Sequence, residues 1–197
     1  MSNNKTDAYK ENFNKVIVEK SESDNYSEAI KEWEVIGCVI DSSISSKCLC
    51  GHSGIKYLYR IRNIFNGNEL FPIGIKCIEK FGNKDMDKEA SYMIKELELY
   101  KVLLEQRNYS IESLSGILTK DLAKHFYNKE VYVGANCSSL NGHRGYALLL
   151  KVLSSRDTKD ILESDLNRFY VIVKYSILPY LSNKYNNKIM IEGKEPQ

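Results

Sequence analysis

The sequence predicts an α+β protein, with a β-hairpin module in its first half and a mainly helical C-terminal region, and three observations carry that reading. Apolar and polar residues alternate over residues 56–73, on either side of an Asn66-Gly67 pair. From residue 85 onward the apolar residues recur at helical spacing instead. Three cysteines and several glycines bracket the hairpin, a grouping that points to a shared centre rather than to scattered core positions.

Taken in order, residues 1–25 carry one weak apolar stripe (Phe13, Val16, Ile17) followed by the polar run Ser21 to Asn25, and read as a loosely attached N-terminal arm with one short helix. The module spans 26–84. It opens with a short helix over Tyr26–Trp33, and the β-branched run Val35-Ile36-Gly37-Cys38-Val39-Ile40 follows as a buried strand that stops at Asp41-Ser42-Ser43. Tyr57, Tyr59 and Ile61 then alternate with Lys56, Leu58, Arg60 and Arg62, and Asn66-Gly67 suits a tight turn because both residues tolerate positive φ. Pro72 cannot donate to a strand ladder, so the second strand of this hairpin is expected at a sheet edge, or to end there.

The helical region covers 85–191. Ala90, Met93, Ile94, Leu97, Lys101 and Leu104 predict a long helix over 85–107, with Asp85 and Asp87 in its first turn where the dipole favours carboxylates. Leu122, Ala123 and Phe126 predict a helix after Thr119, and Tyr146, Leu149, Leu150 and Leu153 another. The stripe Ile161, Leu162, Leu166, Phe169, Tyr170, Val173, Ile177 and Leu181 predicts a last helix of about six turns ending near Pro179. Residues 192–197 read as a disordered tail.

Composition excludes several classes. No apolar run approaches the roughly 20 residues of a membrane span. The net charge of +2, from 28 basic and 26 acidic residues, gives little general attraction to a polyanion. The first residues lack the apolar segment of a secretory signal, so the expected location is the cytoplasm, where the five cysteines stay reduced and serve as thiols or metal ligands.

The richest segment is Cys48-Leu49-Cys50-Gly51-His52, followed by the hairpin and by Gly74-Ile75-Lys76-Cys77. Zinc takes four soft or borderline ligands in a tetrahedron, and a tight turn with two thiols plus a thiol at a helix start supplies three. Gly51 allows the turn, and Gly74 allows the returning strand to approach the metal. His52 is the first choice for the fourth ligand and Cys38 the second, with His125, His143, Cys137 or no protein ligand at all remaining open. Buried thiols are often only small apolar side chains, but packing does not explain three of them and a histidine around one hairpin. A site rich in thiols is closed and structural rather than catalytic, so the zinc staples the hairpin module together.

The order C-x-C-G-H, an aromatic hairpin, then G-x-x-C-I-x-x-F resembles the small treble-clef-type zinc modules of proteins from bacteriophages, mobile elements and large viruses. The likeness covers about residues 33–82, with Trp33, Asn63, Gly74, Cys77 and Phe81 on the pattern. The segments Gly145 to Lys151 and Ile177 to Leu181 are similar to the helical tails that follow such modules. Proteins of this type include zinc-containing anti-CRISPR proteins that bind Cas9. The resemblance therefore implies a non-enzymatic inhibitor of a host defence protein, with Cas9 or its guide complex as partner, working in the host cytoplasm.

Other chemistry is weaker. His125, His143 and Cys137 invite a thiol nucleophile with a histidine base, but nothing in the sequence places them together. The glycines lack phosphate-loop spacing. Lys56, Arg60 and Arg62 interleave with Tyr57 and Tyr59 as on a nucleic-acid-binding strand, which keeps a nucleic-acid-binding zinc module as the second reading.

Overall fold

The computed structural model describes residues 3–105, 110–132, 142–155, 157–185 and 189–190. Its elements run α1 (Asn3–Lys20), α2 (Tyr26–Ala29), β1 (Trp33–Asp41), β2 (Ser46–Lys47), β3 (Ser53–Ile55), β4 (Tyr57–Asn63), β5 (Glu69–Ile73), α3 (Ile75–Ile78), α4 (Lys84–Glu105), α5 (Ile111–Ser115), α6 (Lys120–Asn128), α7 (Gly142–Ser154), α8 (Glu163–Ile172), α9 (Leu178–Tyr185) and β6 (Ile189–Met190). The fold is α+β, and its C-terminal region is helical. Among the described residues, no helix is long and apolar enough to cross a membrane. The chain forms two compact units, one reaching Ile94 and including β6, the other running from Lys95 to α9. The division thus lies at 94/95, inside α4, where the sequence suggests 84/85. The start of that helix belongs to the sheet, where Ala90 is fully buried and its carbonyl accepts a hydrogen bond from the Tyr59 hydroxyl at 3.1 Å.

The first unit is built on a sheet of order β5-β4-β1-β6, antiparallel except for the short parallel pairing of β6 with β1. β1 and β4 pair from Trp33↔Asn63 to Ile40↔Tyr57, with an irregularity between Val35 and Gly37. β5 is an edge strand, as Pro72 requires. The hairpin loop differs from the two-residue turn that Asn66-Gly67 suggests. It spans residues 64–68, because the Asn63 side chain caps the chain end: its Oδ1 accepts the N–H groups of Phe65 and Asn66 at 2.9 and 3.1 Å. Gly67 is left with φ of 74°.

The N-terminal segment is no loose arm. α1 is 18 residues long, and Phe13 and Ile17, one helical turn apart, are buried. Phe13 meets Phe81 edge-on at 5.5 Å, and the Trp33 indole N–H reaches Ser21 at the end of α1 at 2.9 Å. The short Phe13/Ile17 stripe is too weak to hold a helix alone, and tertiary packing supplies the rest.

In the second unit, Thr119 caps α6 through its side chain, and Leu122, Ala123 and Phe126 are buried as expected. On α7 the buried line is Gly145, Leu149 and Val152, one position away from part of the expected stripe. The last helix does not end at Pro179. Residues Val173–Ile177 form a π-helical turn, in which the Leu178 N–H bonds back five residues to the Val173 carbonyl, and α9 continues to Tyr185. The widened turn relieves the crowding that a proline ring causes in a regular helix, so the chain passes through Pro179. The expected tail, 192–197, lies outside the described residues.

Candidate metal centre

β2 and β3 form a second, very small hairpin that periodicity did not indicate, and Cys48 to His52 is its tip. The Cys48 N–H donates to the His52 carbonyl and the Gly51 N–H to the Cys48 carbonyl, both at 2.8 Å, while Gly51 adopts φ of 104°. That closed turn brings Cys48 and Cys50 to one side. The Leu49 N–H donates to the Pro72 carbonyl at 3.0 Å, which ties the turn to the end of β5. The chain then passes through Gly74 into α3, whose third residue is Cys77.

Cys48, Cys50 and Cys77 are all buried, and their sulfur atoms lie within 4.8 Å of one another. The Cys48 and Cys77 sulfurs are 3.7 Å apart, and the Gly74 N–H points at the Cys48 sulfur at 3.3 Å. Gly74 has an ordinary φ, but a Cβ there would stand 3.2 Å from an Ile55 methyl and 3.9 Å from the Cys48 sulfur. A side chain at this position would have to push Ile55 aside. One thiol of the three is favoured to ionise: the Cys77 thiol, and then the Gly74 and Cys50 N–H groups, hold the Cys48 thiol well below its usual range. Cys77 is driven up by the adjacent Cys48 sulfur and by burial. Three thiols gathered in a buried site, one already served by backbone donors, suit a soft or borderline cation that would take up the charge.

Of the expected ligands the structure brings together Cys48, Cys50 and Cys77, and not His52. The His52 side chain is exposed and meets Tyr9 of α1 edge-on at 5.7 Å, because the knuckle commits only its backbone carbonyl. Cys38 also stands apart, buried in β1 opposite Tyr59. His143 is exposed at the start of α7, and Cys137 lies outside the described residues.

Helix α1 covers the knuckle. The Asn12 side-chain amide donates to the Leu49 carbonyl at 2.9 Å, and the Tyr9 ring lies so close to Gly51 that a Cβ there would meet it at 3.3 Å.

His125 belongs to a different constellation. Its Nε2 is 3.1 Å from a carboxylate oxygen of Glu96, which is completely buried on α4. The same carboxylate accepts from Lys184 at 2.7 Å and from the Tyr180 and Tyr185 hydroxyls of α9. Burial pushes the Glu96 carboxyl up, but His125, Lys184 and Tyr185 outweigh it and hold the group below its usual range. A signal for it existed in the sequence: Glu96 sits among Met93, Leu97 and Tyr100, a carboxylate on the apolar face of a helix.

On the β4–β5 hairpin, Arg60 pairs with Glu69 at 3.2 Å and Arg62 with Glu34 at 2.8 Å. Comparison with protein-family models, with curated proteins and with solved structures gave no match.

Proposed function

We propose that the chain is a non-enzymatic, zinc-stapled protein of phage type that inhibits a host defence protein by direct binding, with guide-loaded Cas9 as the target and DNA loading as the step blocked. The observation that supports it is the buried Cys48–Cys50–Cys77 cluster on two linked turns, the arrangement expected of a structural zinc site. Zinc suits three thiolates with one nitrogen ligand better than magnesium or calcium, which prefer oxygen. In this reading His52 supplies the nitrogen by turning away from Tyr9 when the metal binds, with Cys38 as the alternative donor. The ion pairs of Arg60 and Arg62 with Glu69 and Glu34 leave these four residues with no net charge, which favours a protein partner over the second reading, a nucleic-acid-binding module, since a phosphate backbone is held by uncompensated positive charge.

Elemental analysis of untagged protein beside Cys48→Ser, His52→Ala and Cys77→Ser tests the metal: one zinc per chain is expected, lost in both cysteine variants and bound more weakly in His52→Ala. A stable, metal-free wild type sinks the reading. Titration against guide-loaded Cas9 and against DNA at two salt concentrations tests the partner. Affinity for the protein should change little with salt, whereas a steep fall on DNA marks the nucleic-acid reading.

A further inference from the structure

The tip of the β4–β5 hairpin does not fit the rest of the first unit. Of the six phenylalanines, Phe13, Phe81, Phe126 and Phe169 are buried and Phe71 is half-buried, but Phe65 is 70% exposed and its neighbour Ile64 is 55% exposed. Single exposed apolar residues are ordinary on protein surfaces, so exposure alone decides nothing.

What sets this pair apart is how firmly the backbone beneath it is held. All five N–H groups of residues 64–68 are donated: Ile64 to the Glu32 carbonyl, Phe65 and Asn66 to the Asn63 side chain, Gly67 to the Asn63 carbonyl and Asn68 to the Asn66 side chain. The Asn66 and Asn68 amides both reach back to the Lys20 carbonyl, at 3.1 and 3.0 Å. Under the loop, the Asn63 amide donates to the buried Glu32 carboxylate at 2.6 Å, and that carboxylate also accepts from the Glu22 and Ser23 N–H groups. A buried carboxylate and a buried amide are thus used to fix a surface loop, and the loop displays two apolar side chains to solvent.

Such a loop has little conformational freedom left to lose on binding, which is how preorganised anchors gain affinity. Its charge limits the partner. Residues 64–68 carry no formal charge, and the charged residues beside them are ion-paired, Lys20 with Glu19 and Arg62 with Glu34. Nothing there is built to seek phosphates, whereas a neutral rigid aromatic matches an uncharged apolar pocket with a polar rim.

We infer that the Ile64–Phe65 tip is the docking anchor of this chain, and that Phe65 enters an uncharged apolar pocket on the protein it binds. The inference rests on the reading that the chain acts by binding a protein. Its test uses full-length, metal-loaded protein and guide-loaded Cas9 as the probe, comparing wild type with Phe65→Ala, Phe65→Leu and Leu162→Ala, the last removing another exposed side chain, 64% accessible. Thermal stability and zinc content are recorded on each, and an exposed substitution should leave both unchanged. Phe65→Ala is expected to weaken binding roughly 30-fold or more, Phe65→Leu less, and Leu162→Ala hardly at all.

Equal affinity of wild type and Phe65→Ala overturns the anchor and leaves the inhibitor reading standing. Failure of the wild type to bind overturns both. Phe65-dependent binding to neutral phosphatidylcholine vesicles, or a Phe65-dependent dimer in sedimentation, also overturns the anchor by assigning the tip to a lipid surface or to a second copy.

Discussion

The two units bury ionisable groups by opposite means. In the first, three thiols gather within 4.8 Å, beside a turn closed by backbone hydrogen bonds. In the second, the Glu96 carboxylate is ion-paired with Lys184 and hydrogen-bonded by His125 and two tyrosine hydroxyls, drawn from residues up to 89 positions away. One unit thus gathers a thiol group that could hold a cation, while the other carries its own. The difference teaches where each unit should fail: the first on loss of any cation its thiols hold, the second when the carboxylate is protonated or replaced.

Metal removal should give the largest effect. Structural zinc contributes about 10 kcal/mol of apparent folding energy in small modules at neutral pH, so a chelator, or Cys77→Ser, should abolish the cooperative melting of the first unit and leave the helical signal of the second. Circular dichroism with and without chelator checks this. A single transition that shifts as a whole would break the comparison, because the helical unit would then depend on the metal too.

Next comes Glu96→Gln, which strips the negative charge from Lys184 and should cost the second unit roughly 3–5 kcal/mol, with zinc content unchanged. Acid gives the same answer by another route. Because the folded Glu96 carboxyl lies below its unfolded value, its contribution is complete above the unfolded value of about 4.3 and is lost as pH falls through the folded one. Denaturant midpoints of the second unit between pH 7 and 3 should therefore fall in the wild type and stay flatter in Glu96→Gln. Parallel curves would remove Glu96 from the account.

Gly74→Ala is a finer probe. Its methyl would press on Ile55 at 3.2 Å beside the Cys48 sulfur, so a loss of about 1–3 kcal/mol is expected, with weaker zinc retention against a competing chelator. Arg62→Ala should do least. The Arg62–Glu34 pair is about half exposed, and its loss should move stability by less than about 0.5 kcal/mol in a denaturant melt.

Much of this is legible in the sequence alone. Strand β1, the β4–β5 hairpin with its edge proline, and helices α4, α6 and α7 follow from period, turn residues and caps, which act within a few positions. The three thiols of the centre are legible too, because a cluster able to hold a metal leaves its mark as residue type and spacing. Local pattern was least informative where distant segments decide. The Phe13–Ile17 stripe looked too weak to pack until α1 met Phe81 and the knuckle. Pro179 looked like a helix end because a single sequence does not reveal the π-helical turn before it.

The sequence by itself determined the α+β class, the hairpin module and the cysteines that gather at its centre, since period, turn chemistry and ligand type are properties of short segments. Only the tertiary structure decided that His52 stands outside the thiol cluster, that Glu96 anchors three helices, and that Phe65 is held outward on a rigid tip. Those outcomes depend on which side chains meet across long separations, and such meetings are set by packing and hydrogen-bond satisfaction in three dimensions.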